Sequence, residues 1–516
     1  MALPELIAIA ATEQSYWSDP RFDALVLVGE HFVTGITAVD NEITAARLLD
    51  AAVGHEVTFH SSREACGARL VLAPTGNLTR DYDDVRRLAS AASAGVRRAR
   101  DAGARRVLLL VTGQPPFKHA PHVALLGALA GLWAPLQARE CRGEAALEPV
   151  SHLGLVSAAQ GSLLHVVRAL ERGRRLARDL DDADPERMHP SAFEESCRLA
   201  FTGGRVSLRV VDELAILNRD FPLLVAVARA SLAIPRHRPR VLLLEYTGAG
   251  PVERTLLFAG KGVTYDTGGA DLKTAGRMAG MSRDMAGAAA VLGVLRAVSD
   301  LAPPGLRVIA ALGVARNSIG ADSYVSDEVI AAHSGVRVRI GNTDAEGRLI
   351  LADLLSHLLV EAHASIAPCI LSVATLTGHA SLALGQYSVA IENGPARRRG
   401  VSQRLSELGE AWGDPFELSR LRADDYAFVG PRSPAEDLVS ANALPSAQTV
   451  RGHQYPAAFM DLASGLSRHG NDSPSPIPFV HLDLSGSVSE QLDWQHGRPT
   501  ASAVVALTTF ALGLPS

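Results

Sequence analysis

The chain has 516 residues, 47% of them hydrophobic and 20% charged, with a formal net charge of -5. That length exceeds one ordinary hydrophobic core, so two or three domains are expected, and the composition suits a soluble globular protein. The slight acidity argues against nucleic acid as the main partner, and the clusters Arg172/Arg174/Arg175 and Arg397/Arg398/Arg399 read as solvated faces or loops.

The opening run, MALPELIAIAATEQSYW, has no basic leader and is broken by Glu5 and Glu13. No later apolar stretch approaches the length of a membrane span, so a cytoplasmic protein is expected. Short apolar runs at 24–29, 69–74 and 105–113 predict strands, and amphipathic stretches at 83–102, 120–136 and 161–180 predict helices. The charged, Pro-bearing stretch LARDLDDADPERMHPSAFEE then reads as a linker, with a helix starting near Pro190 or Ser191. Beyond it, strands are expected at 241–246, 255–260, 306–314, 336–340, 369–376 and 479–484, with helices at 285–298 and 349–362 between them. Residues 393–455 are rich in Pro, Gly and Asp and read as loops that overhang a site. The pattern predicts an α/β protein: an N-terminal α/β domain over 1–180, and a C-terminal α/β domain over 181–516 with a central mixed, largely parallel sheet flanked by helices.

Cys66, Cys141, Cys197 and Cys369 form no C-x-x-C pair, which excludes a cysteine-based zinc site and suits free thiols. Lysine usage is more telling. Of the 50 basic residues only Lys118, Lys261 and Lys273 are lysine, and two of them share one glycine-rich acidic stretch. An amine can lose its proton and bind a metal, whereas a guanidinium cannot.

Around that pair lie Asp266 and Asp284, with Gly262, Gly268 and Gly269 free to turn or to pass close to a bound group. A second segment, Asn342-Thr-Asp344-Ala-Glu346-Gly-Arg348, follows the strand at 336–340. If it is extended, Asp344, Glu346 and Arg348 fall on one side. Arg348 bridging the two acids in a salt-bridged turn is the plain structural account. Taken together, Asp266, Asp284, Asp344 and Glu346 make an oxygen-rich set that favours Mg²⁺ or Mn²⁺ and admits Zn²⁺, and four carboxylates suit a pair of ions better than one.

KGVTYDTGG, the spaced Lys273 and Asp284, NTDAEGRL and ATLTG resemble the signatures of the leucyl aminopeptidase family (M17 metallopeptidases, cytosol aminopeptidase). The resemblance spans roughly residues 175–510 and implies a metallo-aminopeptidase, with 181–516 as a dinuclear-metal catalytic domain acting on peptides with a free N-terminus. It implies two divalent ions, Mn²⁺ or Zn²⁺. Lys261, Asp266, Asp284 and Glu346 would hold the exchangeable one, and Asp266, Asp344 and Glu346 the tighter one. It implies further that Lys273 polarises the scissile carbonyl, and that Arg348 binds bicarbonate as general base. Met281, Thr375 and Gly378 would line the pocket for a Leu-like first residue, and the assembly would be a homohexamer. Ala286, Arg316, Arg339 and His379 depart from the family pattern, and Tyr265 and Arg283 are milder variants. A Cys-Gly-type dipeptidase, or a scaffold or nucleic-acid-binding homologue with little turnover, are the alternatives.

Overall fold

The computed structural model describes residues 3–10, 16–157 and 162–515. The chain forms two compact units, Met1–Arg172 with Gly409–Asp414, and Gly173–Leu408 with Pro415–Pro515.

The first unit is built on six strands: β1 Glu5–Ile9, β2 Ala24–Gly29, β3 Thr58–Ser61, β4 Arg69–Pro74, β5 Arg106–Val111 and β6 His152–Val156. They lie in the order β1-β6-β5-β2-β4-β3, parallel except for β3, which runs antiparallel to β4. The helices expected from periodicity are Arg86–Asp101, Ala120–Leu132 and Ser162–Asp181, the last counted with the second unit from Gly173 on, and residue 161 lies outside the described residues.

The second unit holds β7 Val206–Val211, β8 Arg240–Thr247, β9 Arg254–Asp266, β10 Leu306–Asn317, β11 Val329–Ala331, β12 Arg337–Arg339, β13 Pro368–Ala374, β14 Ser388–Glu392, β15 Phe416–Arg420, β16 Leu438–Val439 and β17 Phe479–Asp483. Eight of them form a mixed sheet in the order β15-β14-β17-β13-β9-β10-β8-β7, with a parallel centre of β17, β13, β9 and β10. Side chains alternate along β9, so each face feeds its own core. Leu256 and Phe258 pack with the helix Ala286–Leu301, while Leu257, Ala259 and Val263 pack with the helix Glu346–His363. Among the described residues no helix is long and apolar enough to cross a membrane.

Several expectations change. The strand at 255–260 continues to Asp266, because β10 pairs alongside it to Asn317 across one register shift. The segment at 336–340 joins a separate sheet of β11, β12 and β16. The stretch 393–455 is not mainly loop: it carries the helices Gly394–Arg398, Val401–Trp412 and Ala423–Phe428 and the strand β15. Its Pro and Asp residues serve helix starts, Pro395 in one first turn and Asp425 in a capping box with Arg422. In the charged stretch around 180–190, Asp181, Ala183 and Met188 are buried while Glu186 and Arg187 are exposed, and the helix starts at Pro190, capped by the His189 side chain.

Gly287 sits where the helix Ala286–Leu301 meets β13, and a Cβ there would stand 2.2 Å from the Val373 carbonyl oxygen. Backbone cannot yield as a side chain can. Gly287→Ala is expected to destabilise the second unit by about 1–3 kcal/mol, read as a lower urea midpoint.

Candidate metal centre

Lys261 and Asp266 both lie on β9, at the end of the sheet where parallel strands of α/β proteins place their ligands. Gly268 and Gly269, at φ of 88° and 67°, turn the chain sharply beyond Asp266; Gly262 instead lies within the strand. Asp284 comes from the short 3-10 segment Met281–Met285 that leads into the helix Ala286–Leu301. Glu346 is the first residue of the helix Glu346–His363, so the heptad is not extended. Within it Glu346 turns to Lys261, while Arg348 donates to the Ser440 carbonyl at 2.9 Å and lies 4.9 Å from the Tyr455 ring centre. The expected common side for Asp344, Glu346 and Arg348 is therefore lost to a helix start.

Oxygens of Asp266, Asp284 and Glu346 lie within 4.8 Å of one another, all three residues buried. Lys261 bridges two of the three: its Nζ is 2.7 Å from Asp284 Oδ1, 2.7 Å from Glu346 Oε1 and 2.8 Å from the Thr375 carbonyl. Lys273 Nζ is 2.8 Å from Asp266 Oδ2 and also pairs with Asp344. Asp344 is the fourth acid and the one that opens to the surface, its side chain 29% exposed.

The electrostatics follow from this crowding. Burial alone would lower both lysines, yet the surrounding acids raise both above the ordinary range. Burial would raise Asp266, but Lys273 and Lys261 outweigh it and hold the carboxyl below its usual range. Burial pushes Asp284 well up, helped by Glu346 and Asp266 against Lys261. Burial and Asp266 push Asp344 up to about 7. By formal count four carboxyl groups face only two lysines, and burial with mutual repulsion drives Asp284 and Asp344 toward the neutral acid unless a cation offsets them. Asp284 Oδ2 is buried with no hydrogen-bond partner. A buried carboxylate oxygen left unpaired beside like charges fits a site for divalent cations.

Thr375 is a buttress, its Oγ donating to Asp284 Oδ1 at 2.9 Å. Met281 lies three residues before Asp284, and Gly378 is exposed at the start of the helix Gly378–Leu384. Arg348 is buried with its Nε unpartnered, a donor available to an anion. The departing residues make contacts of their own. Arg316 stacks over Tyr265 at 5.3 Å, Arg339 pairs with Glu436 at 3.0 Å, and His379 bonds His453 at 2.7 Å.

Sequence reasoning missed the residues that tie the two ligand segments together. Asn317 Nδ2 donates to Asp266 Oδ1 at 2.7 Å and to the Thr343 carbonyl at 3.1 Å. Thr343 donates through Oγ to the Gly268 carbonyl and through its N–H to Asp271, each at 2.7 Å, and Tyr324 donates to the Thr343 carbonyl at 2.6 Å. Thr343 lies inside the heptad and was within reach of a motif reading. Tyr324 and Asp271 sit in segments with no periodic signal.

The fold is that of solved structures of the bottromycin maturation enzyme BotP. The one in complex with Mn gives a TM-score of 0.77 at 24% identity, over 95% of this chain and 99% of that one. Residues 175–508 match the cytosol aminopeptidase family, catalytic domain. A protein of Caenorhabditis elegans named as an aminopeptidase is 37% identical over 98% of this chain and 99% of its own length, the N-terminal unit included. Proteins named as cytosol aminopeptidases from Roseiflexus castenholzii and Chlamydia trachomatis are 31% and 36% identical, over 64% and 66% of this chain and 61% and 63% of their own lengths. The chain belongs to the cytosol aminopeptidase (M17) family and is a peptidase by that membership.

Replacing Asn317 with Ala leaves Asp266 and the Thr343 carbonyl each short of a buried donor. The expected cost is about 1–3 kcal/mol, measured as a lower denaturation midpoint for the second unit.

Proposed function

We propose that this chain is a metal-dependent aminopeptidase, with the chemistry in residues 181–516, that removes a Leu-like first residue from peptides with a free N-terminus. The observation that carries the reading is the buried trio of Asp266, Asp284 and Glu346, whose oxygens lie within 4.8 Å of one another beside two lysines. Asp266, Asp284 and Glu346, with Lys261 as a neutral amine once its proton has been displaced by the incoming cation, would hold one divalent ion, and Asp266, Asp344 and Glu346 a second. Such a pair supplies Lewis acidity and makes water a nucleophile near neutral pH. Mn²⁺, named with the BotP structure, is the first ion to test, with Zn²⁺ next.

The chain's own groups take distinct parts. Lys273 reaches the more open side of the cluster as a fixed positive charge, suited to a carbonyl oxygen that gains charge as its bond is attacked. Arg348, with its unpartnered Nε, would hold bicarbonate as the proton acceptor. Met281, Thr375 and Gly378 would line the pocket for the first side chain, and Met281 gives that pocket an apolar element. By the same family reasoning the working form is a homohexamer, which light scattering tests directly; a monomer would remove it.

The deciding experiment is a matrix of metals against aminoacyl amides and dipeptides. Chelation is expected to abolish turnover, and Mn²⁺ or Zn²⁺ to restore it. No cleavage of any substrate by fully loaded protein would end the reading, and activity confined to dipeptides would make it a dipeptidase. Lys261→Arg is expected to empty one ion site. Lys273→Arg should keep both ions yet lower kcat by at least about 100-fold, while exposed Lys118→Arg leaves kcat unchanged.

A further inference from the structure

Asp284 is held on one oxygen only. Its Oδ1 takes Lys261 at 2.7 Å and Thr375 at 2.9 Å, while Glu346 and Asp266 repel it and Oδ2 has no partner. The backbone beneath it is a five-residue 3-10 segment, a geometry with weak internal bonds. Something outside that segment must fix it.

The neighbouring Arg283 is 4% exposed, and its guanidinium reaches two other parts of the chain. Nε donates to the Trp494 carbonyl at 2.6 Å, and Nη2 donates to the Gly497 carbonyl at 2.6 Å and to Asp182 Oδ1 at 3.0 Å. Nη1 lies 3.7 Å from Asp181 Oδ2. Gly280, just upstream, lies so close that a Cβ on it would stand 2.7 Å from the Trp494 carbonyl carbon. Trp494 Nε1 in turn donates to the Ser485 carbonyl at 3.3 Å, and Ser485 Oγ donates to Asp483 Oδ1 at 2.8 Å. Asp483 accepts from the Leu376 N–H at 3.0 Å and from Thr377 Oγ at 2.7 Å, next to the Thr375 that bonds Asp284. The contacts close into a ring: Asp284, Thr375 to Thr377, Asp483, Ser485, Trp494, Arg283 and back to Asp284.

We infer that Arg283 is the positioning residue for the Asp284 carboxylate, closing this ring from the backbone side and setting the affinity of the ion that Asp284 helps to hold. The inference rests on reading Asp284 as a metal ligand. A planar guanidinium with donors in fixed directions can reach Trp494, Gly497 and Asp182 at once; a lysine ammonium on a flexible stem cannot hold all three in place. Partners that orient a ligand typically contribute about 10- to 100-fold to metal affinity.

The test is calorimetric titration of the full-length protein, stripped by chelation, with Mn²⁺ alone, alongside metal content after dialysis. Arg283→Lys is expected to weaken the looser Mn²⁺ by about 10-fold or more and to leave the tighter one unchanged. Its kcat should fall at limiting Mn²⁺ and recover at saturating Mn²⁺, which a general loss of structure would not show. Asp182→Asn, which loosens one arm, should shift the same step by a smaller factor, and it decides the matter if Arg283→Lys does not fold. Wild-type isotherms for the folded variants, with Asp284→Asn losing the looser ion, would overturn the role of Arg283. A wild-type isotherm for Asp284→Asn would overturn the metal reading beneath it.

Discussion

Surplus negative charge, buried, is the constraint on which the second unit depends. Asp266, Asp284 and Glu346 have oxygens within 4.8 Å of one another, with Asp344 beside them, and by formal count the two lysines that sit among them offset only half of the four acids. Like charges this close, away from water, repel strongly enough to push a segment out of place unless it is fastened elsewhere. Much of the surrounding hydrogen bonding is that fastening. Asn317, Thr343 and Tyr324 bind the turn after β9 to the heptad, and Thr375 and Arg283 bind the segment of Asp284.

The sheet makes such fastening possible because β9 is central and buried on both faces. It carries Lys261 and Asp266 itself, and receives Asp284 from the segment before a helix packed on one face and Glu346 from a helix packed on the other. Glu346 opens an eighteen-residue helix, where the free N–H groups and the aligned peptide dipoles favour a carboxylate. Two cores thus converge on one charged cluster, and neither helix can shift without moving an acid.

Strands β8, β9, β10, β13 and β17 were legible because each is an apolar run bounded by turn residues, whereas β14 inside the same sheet was not read, and the acids and lysines were legible because motif spacing concentrates them. Short edge strands such as β1, β7 and β15 escaped that reading, since half-exposed runs of five or six residues carry little periodicity. The start of the helix at Glu346 was missed because Asn342 to Gly347 resembles a turn, and the helix draws its stability from tertiary packing of Leu349 to Leu358 against β9, β13 and the helices Pro222–Ala228 and Gln454–Ala463. Tyr324 illustrates what a linear reading cannot reach. It comes from an irregular segment and meets the Thr343 carbonyl only through the fold.

Thr375 has a consequence for how this protein can diverge. One residue presents its carbonyl to Lys261 and its hydroxyl to Asp284. Any change of shape there is also a change in the electrostatic frame of the cluster. Met281 and Gly378 carry no such double duty in the contacts seen. On the proposed reading, in which Met281, Thr375 and Gly378 line the pocket for the first residue, drift in substrate preference is therefore channelled: it can proceed through Met281 and Gly378 in small steps, whereas a step at Thr375 would alter selectivity and ion retention together.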